Sequence, residues 1–408
     1  MRRWQRLGGT AAALASIIVV VLGLRADVNA RETSAASRAS TLAATLQSDL
    51  DAYLHQRSAA EHLSALSLSV SFDSRRPAIN IASGTTRDHG GSAVTPASLF
   101  QIGSNTKAFT AVALLQLEAQ HRLSIDAPLG TYLPQYPAYR KLTLRKLLNM
   151  TGGLESYDNT LSWEHSYAEY PTADVSADAL IRFVYPNIKF PPGTKYFYSN
   201  TGYLLAQKVV DARSSSGSFA KELARIIAGA HLTNTYYTSH EYAPPIARRV
   251  VAGYFENSEP VLQRFLGKDV SRYSLSWAQA AGSIVSTPAD LARWAREMYA
   301  GTQLLPPQQK RELMRLISMK TSRPLAVPTA NDPAGFGLGV SERFDRKLGT
   351  FWFYQGETLG FRATHLYFPD SGIVVCLFAN SRPQESQSKL QALFGTLYAH
   401  IQAAVKRP

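Results

Sequence analysis

The chain has 408 residues, of which 45% are hydrophobic and 18% charged, a composition that excludes a disordered or low-complexity protein. A formal charge of +13 favours anionic surroundings, but no basic block or nucleic-acid motif accompanies it, so nucleic acid is excluded as the expected partner. A single cysteine, Cys376, rules out a disulfide within one chain.

Residues 1–30 read as a targeting segment: "MRRWQR" is positive, "LGGTAAALASIIVVVLGL" is apolar, and Val28-Asn29-Ala30 offers small residues for cleavage. The run Leu7 to Leu24 is also just long enough to anchor the chain in a bilayer if it is retained. Either way the body is expected outside the cytoplasm, periplasmic or secreted. The segment has no terminal cysteine for lipid attachment. Without residues 1–30 the charge falls to +10, from 39 basic and 29 acidic residues, which favours association with an anionic envelope.

Residues 31–60 read as a polar Ala/Ser-rich linker and then a helix, with Leu42, Leu46, Leu50 and Tyr53 on one stripe. Residues 61–408 follow as one domain. "LSLSVSF" (66–72) alternates and predicts a half-buried strand, paired across a polar turn with "AINIASG" (78–84). Residues from about 120 to 290 read as a mostly helical insertion, broken by "LPQYPAY" and "PNIKFPPG". "THLYF" and "GIVVCLFAN" flank the turn Pro369-Asp370-Ser371-Gly372 and form a second hairpin, with Cys376 a small core residue. A final helix carries Leu390, Leu393, Phe394, Leu397, Tyr398 and Ile401 on one face. Strands at both ends with helices between predict an α+β fold: an antiparallel sheet flanked by helices, with a helical subdomain inserted.

Three short stretches carry chemistry. In "FQIGSNTKAFTAVALLQLEA" an apolar helix opens with Ser104 and Lys107, three apart and so on one face. A lysine turned toward a core is costly without partners, so the pair is either a solvated first turn or a nucleophile beside its activator. The positive end of the helix dipole at Ser104 favours alkoxide character. In "FPPGTKYFYSNTGYLLAQKVV", Ser199 or Asn200 caps the next helix, or else Tyr198 shuttles a proton and Asn200 meets substrate. In "FWFYQGETLGFRATHLYF", Gly356 and Gly360 interrupt an aromatic strand, marking a bulge or the close approach of a ligand or backbone. His365 lies nearby and reads as structural.

Together the stretches resemble the serine β-lactamase and penicillin-binding-protein superfamily, in the branch of class C β-lactamases, D,D-carboxypeptidases and related esterases. Ser104-Asn105-Thr106-Lys107 resembles its S-x-x-K motif and Tyr198-Ser199-Asn200 its Tyr-x-Asn motif. "LSIDAPLGTYLPQY", "LTLRKLLNMTGGL" and "AAGSIVSTPADLARW" resemble scaffold segments in the usual order. The third motif departs from the family: Tyr354-Gln355-Gly356 stands where Lys- or His-x-Gly is usual, with Arg362 the other candidate for the missing charge.

The resemblance implies an acyl-enzyme on Ser104, with Lys107 and Tyr198 moving its proton. Asn200 and Tyr354 are implied to meet substrate, and Gly356 leads to Glu357, whose backbone N–H joins that of Ser104 in an oxyanion hole. It implies no metal and no cofactor, and a small-molecule or peptidoglycan-derived peptide substrate. D-amino-acid peptides and β-lactams are the expected substrates; an esterase, or a catalytically silent envelope binding protein on the same fold, are the alternatives.

Overall fold

The computed structural model describes residues 39–73 and 76–406. The expected targeting segment, and the cleavage site within it, lie outside the described residues. The chain divides into two compact units, one of Leu50–Gln391 and a small one from Met1–Asp49 with Ala392–Pro408. In the small unit, helical residues 39–49 face the C-terminal helical residues, with Asp49 Oδ2 2.7 Å from His400 Nδ1. The striped residues of both helices, from Leu42 to Tyr53 and from Leu390 to Ile401, are buried.

The large unit is organised by a nine-stranded sheet, every pairing of which is antiparallel. Its strands are β1 (Ala65–Ser71), β2 (Ile79–Gly84), β3 (Leu316–Ser318), β4 (Pro324–Leu325) and β5 (Ala334–Phe336). They continue with β6 (Ser341–Asp345), β7 (Gly349–Thr358), β8 (Phe361–Phe368) and β9 (Ile373–Ala379). The spatial order is β2-β1-β9-β8-β7-β6-β5-β3-β4, so the two predicted hairpins, far apart in sequence, join at β1 and β9. Ser69 pairs with Cys376 across that seam, and Cys376 is fully buried, as a small core residue should be.

One expectation changes here. The alternation of β1 predicts one wet face, yet Ser67 and Ser69 are buried as fully as Leu66 and Leu68. The strand lies inside the sheet and both its faces are covered, and the Ser67 and Ser69 hydroxyls have no partner among the described residues.

Between β2 and β3 the chain is mainly helix and loop. The helices that position the site are α1 (Thr106–Ala119), α2 (Thr201–Arg213) and α3 (Pro288–Tyr299). α1 is the most deeply buried, with eleven of its fourteen residues in the core. α3 has a Thr287 side-chain cap on Asp290 N and packs its Trp294 ring on Phe109 of α1, centroids 3.7 Å apart. The core thus grips most of α1, and the turn just before it, at Ser104, meets a cavity.

Candidate active site

Ser104 sits in a short 3₁₀ turn, Gly103–Asn105, that leads directly into α1. Gly103 has φ +48°, the left-handed region that glycine enters without strain. A Cβ there would also stand 2.4 Å from the backbone oxygen of Glu357. From the other side, a Cβ on Gly356 would come within 1.9 Å of the Ile102 carbonyl oxygen. Two glycines therefore let β7 lie with its backbone directly on the Ser104 turn. That contact brings the main chain of Glu357 beside that of Ser104, where two N–H groups can serve one oxyanion.

The three predicted polar side chains meet on this turn. Lys107 is fully buried, and its Nζ donates to Ser104 Oγ at 2.9 Å and to the Ala281 carbonyl at 2.9 Å. The Tyr198 hydroxyl is hydrogen-bonded to Ser104 Oγ at 2.7 Å. Lys107 Nζ also lies over the Tyr198 and Tyr203 rings, 4.9 and 5.3 Å from their centroids. Ser104 Oγ thus touches an amine and a phenol at once. The alternative of a solvated first turn is removed by the burial of Lys107.

Asn200 stands at the N-cap position of α2, but its side chain makes no cap. Its Nδ2 instead donates to Asp158 Oδ2 at 2.6 Å, while its backbone N donates to Ser156 Oγ at 2.8 Å. Asn200 Oδ1 is buried and has no hydrogen-bond partner among the described residues.

Tyr354 is placed differently from its neighbours in the motif. It is 5% exposed and is not part of the cavity wall; Gln355 and Glu357 are. Tyr354 and Gly356 are two apart on β7 and share one face, the face pressed on the Ser104 turn, so the ring is buried there. Burial, and next the neighbouring Tyr198 and Tyr203, push its phenol well above the ordinary range, so it remains a neutral hydroxyl. Arg362 does not supply the missing charge either. It turns away to Glu61 Oε2 at 2.9 Å and to the Ser381 carbonyl at 2.7 Å.

Sequence reasoning missed several residues of the site. The cavity, about 500 Å³, has Ser104, Tyr198 and Asn200 on its floor and Trp163, Leu262 and Trp277 on its walls. Four carboxylates line it: Asp158, Glu164, Glu259 and Glu357. The one guanidinium among the lining residues, Arg382, lies 3.0 Å from Glu259 and 3.3 Å from Glu357. No local pattern announces Asp158 or Arg382: the first follows a segment read as scaffold and the second a segment read as a core strand. Beneath the turn, Asn105 Nδ2 donates to the Ile102 and Ala363 carbonyls, and its Oδ1 meets His365 Nδ1 at 2.8 Å. His365 Nε2 is 3.0 Å from the Tyr299 hydroxyl. Complete burial lowers His365 to about 3, so it is neutral at physiological pH. With Asn105 Oδ1 as acceptor, His365 Nδ1 carries the proton and Nε2 accepts from Tyr299. His365 is thus structural, holding the Ser104 turn from below.

Fold and site together set a serine hydroxyl, a buried amine and a phenol beside one cavity of a protein built on an antiparallel sheet. The sequence profile of the Beta-lactamase family matches residues 50–398, and the chain belongs to that family. Penicillin-binding protein 4* of Bacillus subtilis is 28% identical over 209 residues, 50% of this chain and 45% of that protein. Teichoic acid D-alanine hydrolase of Staphylococcus aureus is 25% identical over 199 residues, 49% of this chain and 45% of that protein. The chain spans about half the length of the curated relatives it matches. Among solved structures, D-amino acid amidase from Ochrobactrum anthropi SV3 complexed with D-phenylalanine superposes with a TM-score of 0.74 at 22% identity. That match covers 89% of this chain and 99% of the amidase. D-stereospecific amidohydrolase from Streptomyces sp. gives 0.68 at 24% identity, covering 83% and 94%. These two likenesses show the same fold.

Proposed function

We propose that the chain is an exported acyl-enzyme hydrolase of amides or esters built from D-amino acids, with Ser104 as nucleophile. The observation that carries this is Ser104 Oγ within hydrogen-bond reach of both Lys107 Nζ, at 2.9 Å, and the Tyr198 hydroxyl, at 2.7 Å, at the floor of the cavity. Ser104 Oγ attacks the carbonyl carbon, and its proton passes into the Lys107–Tyr198 pair. The N–H groups of Ser104 and Glu357 take the developing oxyanion. The carbon–nitrogen or carbon–oxygen bond breaks, and the leaving group departs with that proton as amine or alcohol. Water then adds to the acyl-enzyme, which releases the acid and restores the Ser104 hydroxyl. All of this needs only the residues named, with no metal or cofactor in the scheme. The D configuration is supported by relatives and neighbours whose names specify D-alanine or D-amino acid substrates. Export is supported by the charged, apolar and small-residue pattern of residues 1–30.

Esters join amides in the proposal because Tyr354 is neutral where the family usually holds a cation. A β-lactam or a D-alanyl-D-alanine peptide brings a carboxylate that this position cannot neutralise. A fluorophosphonate probe tests the nucleophile: the adduct should map to Ser104 by mass spectrometry and vanish in Ser104→Ala. An adduct on another residue would remove the assignment.

A further inference from the structure

We infer that the substrate enters with a free ammonium group next to its acyl carbon, and that Asp158 and Asn200 receive it. The inference rests on the acyl-enzyme reading above and names the charge that this site selects.

Three observations converge. The first is the orphan acceptor. Asp158 is a carboxylate and only accepts, so the Asn200 amide must turn Nδ2 toward it, at 2.6 Å. That orientation leaves Asn200 Oδ1 buried and without a partner, an arrangement that costs stability unless a ligand donor satisfies it. Both residues line the cavity that holds Ser104. A carboxylate and an unpaired amide oxygen together accept several hydrogen bonds and offer the ligand only what remains of one amide. An –NH₃⁺ group, with three donors and a positive charge, fits that demand.

The second observation is the balance of charge. Asp158, Glu164, Glu259 and Glu357 face one guanidinium in the cavity wall. Arg382 is already placed between Glu259 and Glu357, which leaves Asp158 and Glu164 without a cation within 4.0 Å among the described residues. Glu164 is raised above the ordinary carboxylate range, first by desolvation and then by the negative charge of Glu259. The wall beside Asn200 is therefore negative, and it attracts a cation.

The third is the absence of a free cation to neutralise a carboxylate among the described residues that line the cavity, where Thr358 offers only a neutral hydroxyl. Tyr354 is neutral, Arg362 is bound to Glu61, and Lys107 is fully buried beneath Ser104 and Tyr198. A substrate carboxylate could gain a cation only by displacing Glu259 or Glu357 from Arg382. Charge on this site thus favours amides or esters of amino acids with a free amine, and disfavours substrates whose amine is acylated or whose leaving part carries a carboxylate.

Binding to full-length Ser104→Ala, measured by calorimetry, separates this from catalysis. The probes are D-phenylalanine amide, N-acetyl-D-phenylalanine amide and N-acetyl-D-alanyl-D-alanine. The free amine should bind at least about tenfold more tightly than its acetylated twin, as a desolvated charge pair allows. Adding Asp158→Asn should cut that ratio at least about fivefold by weakening the ammonium ligand alone. Glu164→Gln, which does not touch Asn200, should cut it less and in the same direction, and it serves if Asp158→Asn fails to fold. Equal binding of the two amides, measurable or not, overturns the inference. So does tightest binding of the carboxylate probe, or a ratio unmoved by the variants. Fluorophosphonate labelling of the wild type reports on the acyl-enzyme reading separately, so either claim can fall while the other stands.

Discussion

Lys107 and Arg362 are both basic side chains in the protein interior, 0% and 3% exposed, and they are held in opposite ways. Arg362 is saturated. Its guanidinium reaches Glu61 at 2.9 Å, the Ser381 carbonyl at 2.7 Å and the Ser388 hydroxyl, and Glu61 in turn takes the Tyr53 hydroxyl at 2.6 Å. Among the described residues Lys107 has no carboxylate partner: one carbonyl, one serine oxygen and two aromatic faces surround it. A buried charge whose partners neutralise it is architecture, and its loss should be felt as stability. A buried amine hydrogen-bonded to a hydroxyl at the edge of a cavity acts on that hydroxyl, and its loss should be felt as rate.

The sharpest way to break the comparison is at the hydroxyl itself. Ser104→Ala should lower kcat on the order of a millionfold for whichever substrate is turned over, while the thermal midpoint is held. Residual activity above a small fraction would make Lys107 another structural side chain. Next come Lys107→Ala and Tyr198→Phe. Each should cost a large part of kcat, and the double variant should lose far less than the product of the two, because the groups share one proton path. Multiplicative losses in steady-state kinetics would separate them.

On the other side, Glu61→Gln should destabilise the fold by about 3–5 kcal/mol in denaturant unfolding, since it leaves Arg362 buried and uncompensated. The folded fraction should keep its kcat. The pH dependence follows from Glu61. Desolvation pushes its carboxyl up, but the Tyr53 hydroxyl and Arg362 outweigh that, and the net shift is downward. A depressed folded-state pKa means this stability is fully present above the unfolded carboxyl value, about 4.3, and is lost as pH falls through the folded value. Acid unfolding curves should therefore differ between wild type and Glu61→Gln, with the gap closing toward low pH. The smallest effect belongs to Tyr354→Phe. It removes a buried hydroxyl that makes no hydrogen bond within 3.5 Å among the described residues and lies beside Tyr198, so the melting temperature should hold or rise by a few degrees and kcat should change less than about threefold. A large fall in kcat would assign the Tyr354 hydroxyl to Tyr198.

Much of this was legible without coordinates where the relevant order lies along one element. The spacing of Ser104 and Lys107 places both at one helical turn, because three residues nearly complete a turn whatever the helix packs against. The strands expected at 66–72 and 78–84 are β1 and β2, which pair antiparallel, and the alternating and apolar runs identify the sheet's two distant hairpins. The burial of both faces of β1 was not legible, since alternation reports side-chain polarity and not what covers it. Nor was the direction of Arg362, which the chain sets beside Glu357 in register but whose guanidinium is drawn to Glu61, 301 residues earlier.

What the sequence determined by itself is therefore the reactive turn, since Ser104 and Lys107 depend on local helix geometry, and the glycines that let a strand approach. Tertiary structure decided the rest. Tyr198 comes to Ser104 across 94 residues, and Asp158 to Asn200 across 42. Arg382 meets Glu259 and Glu357 from three separate segments. Charge acts through space and not along the chain, so the potential of a cavity exists only once the segments that wall it are folded together.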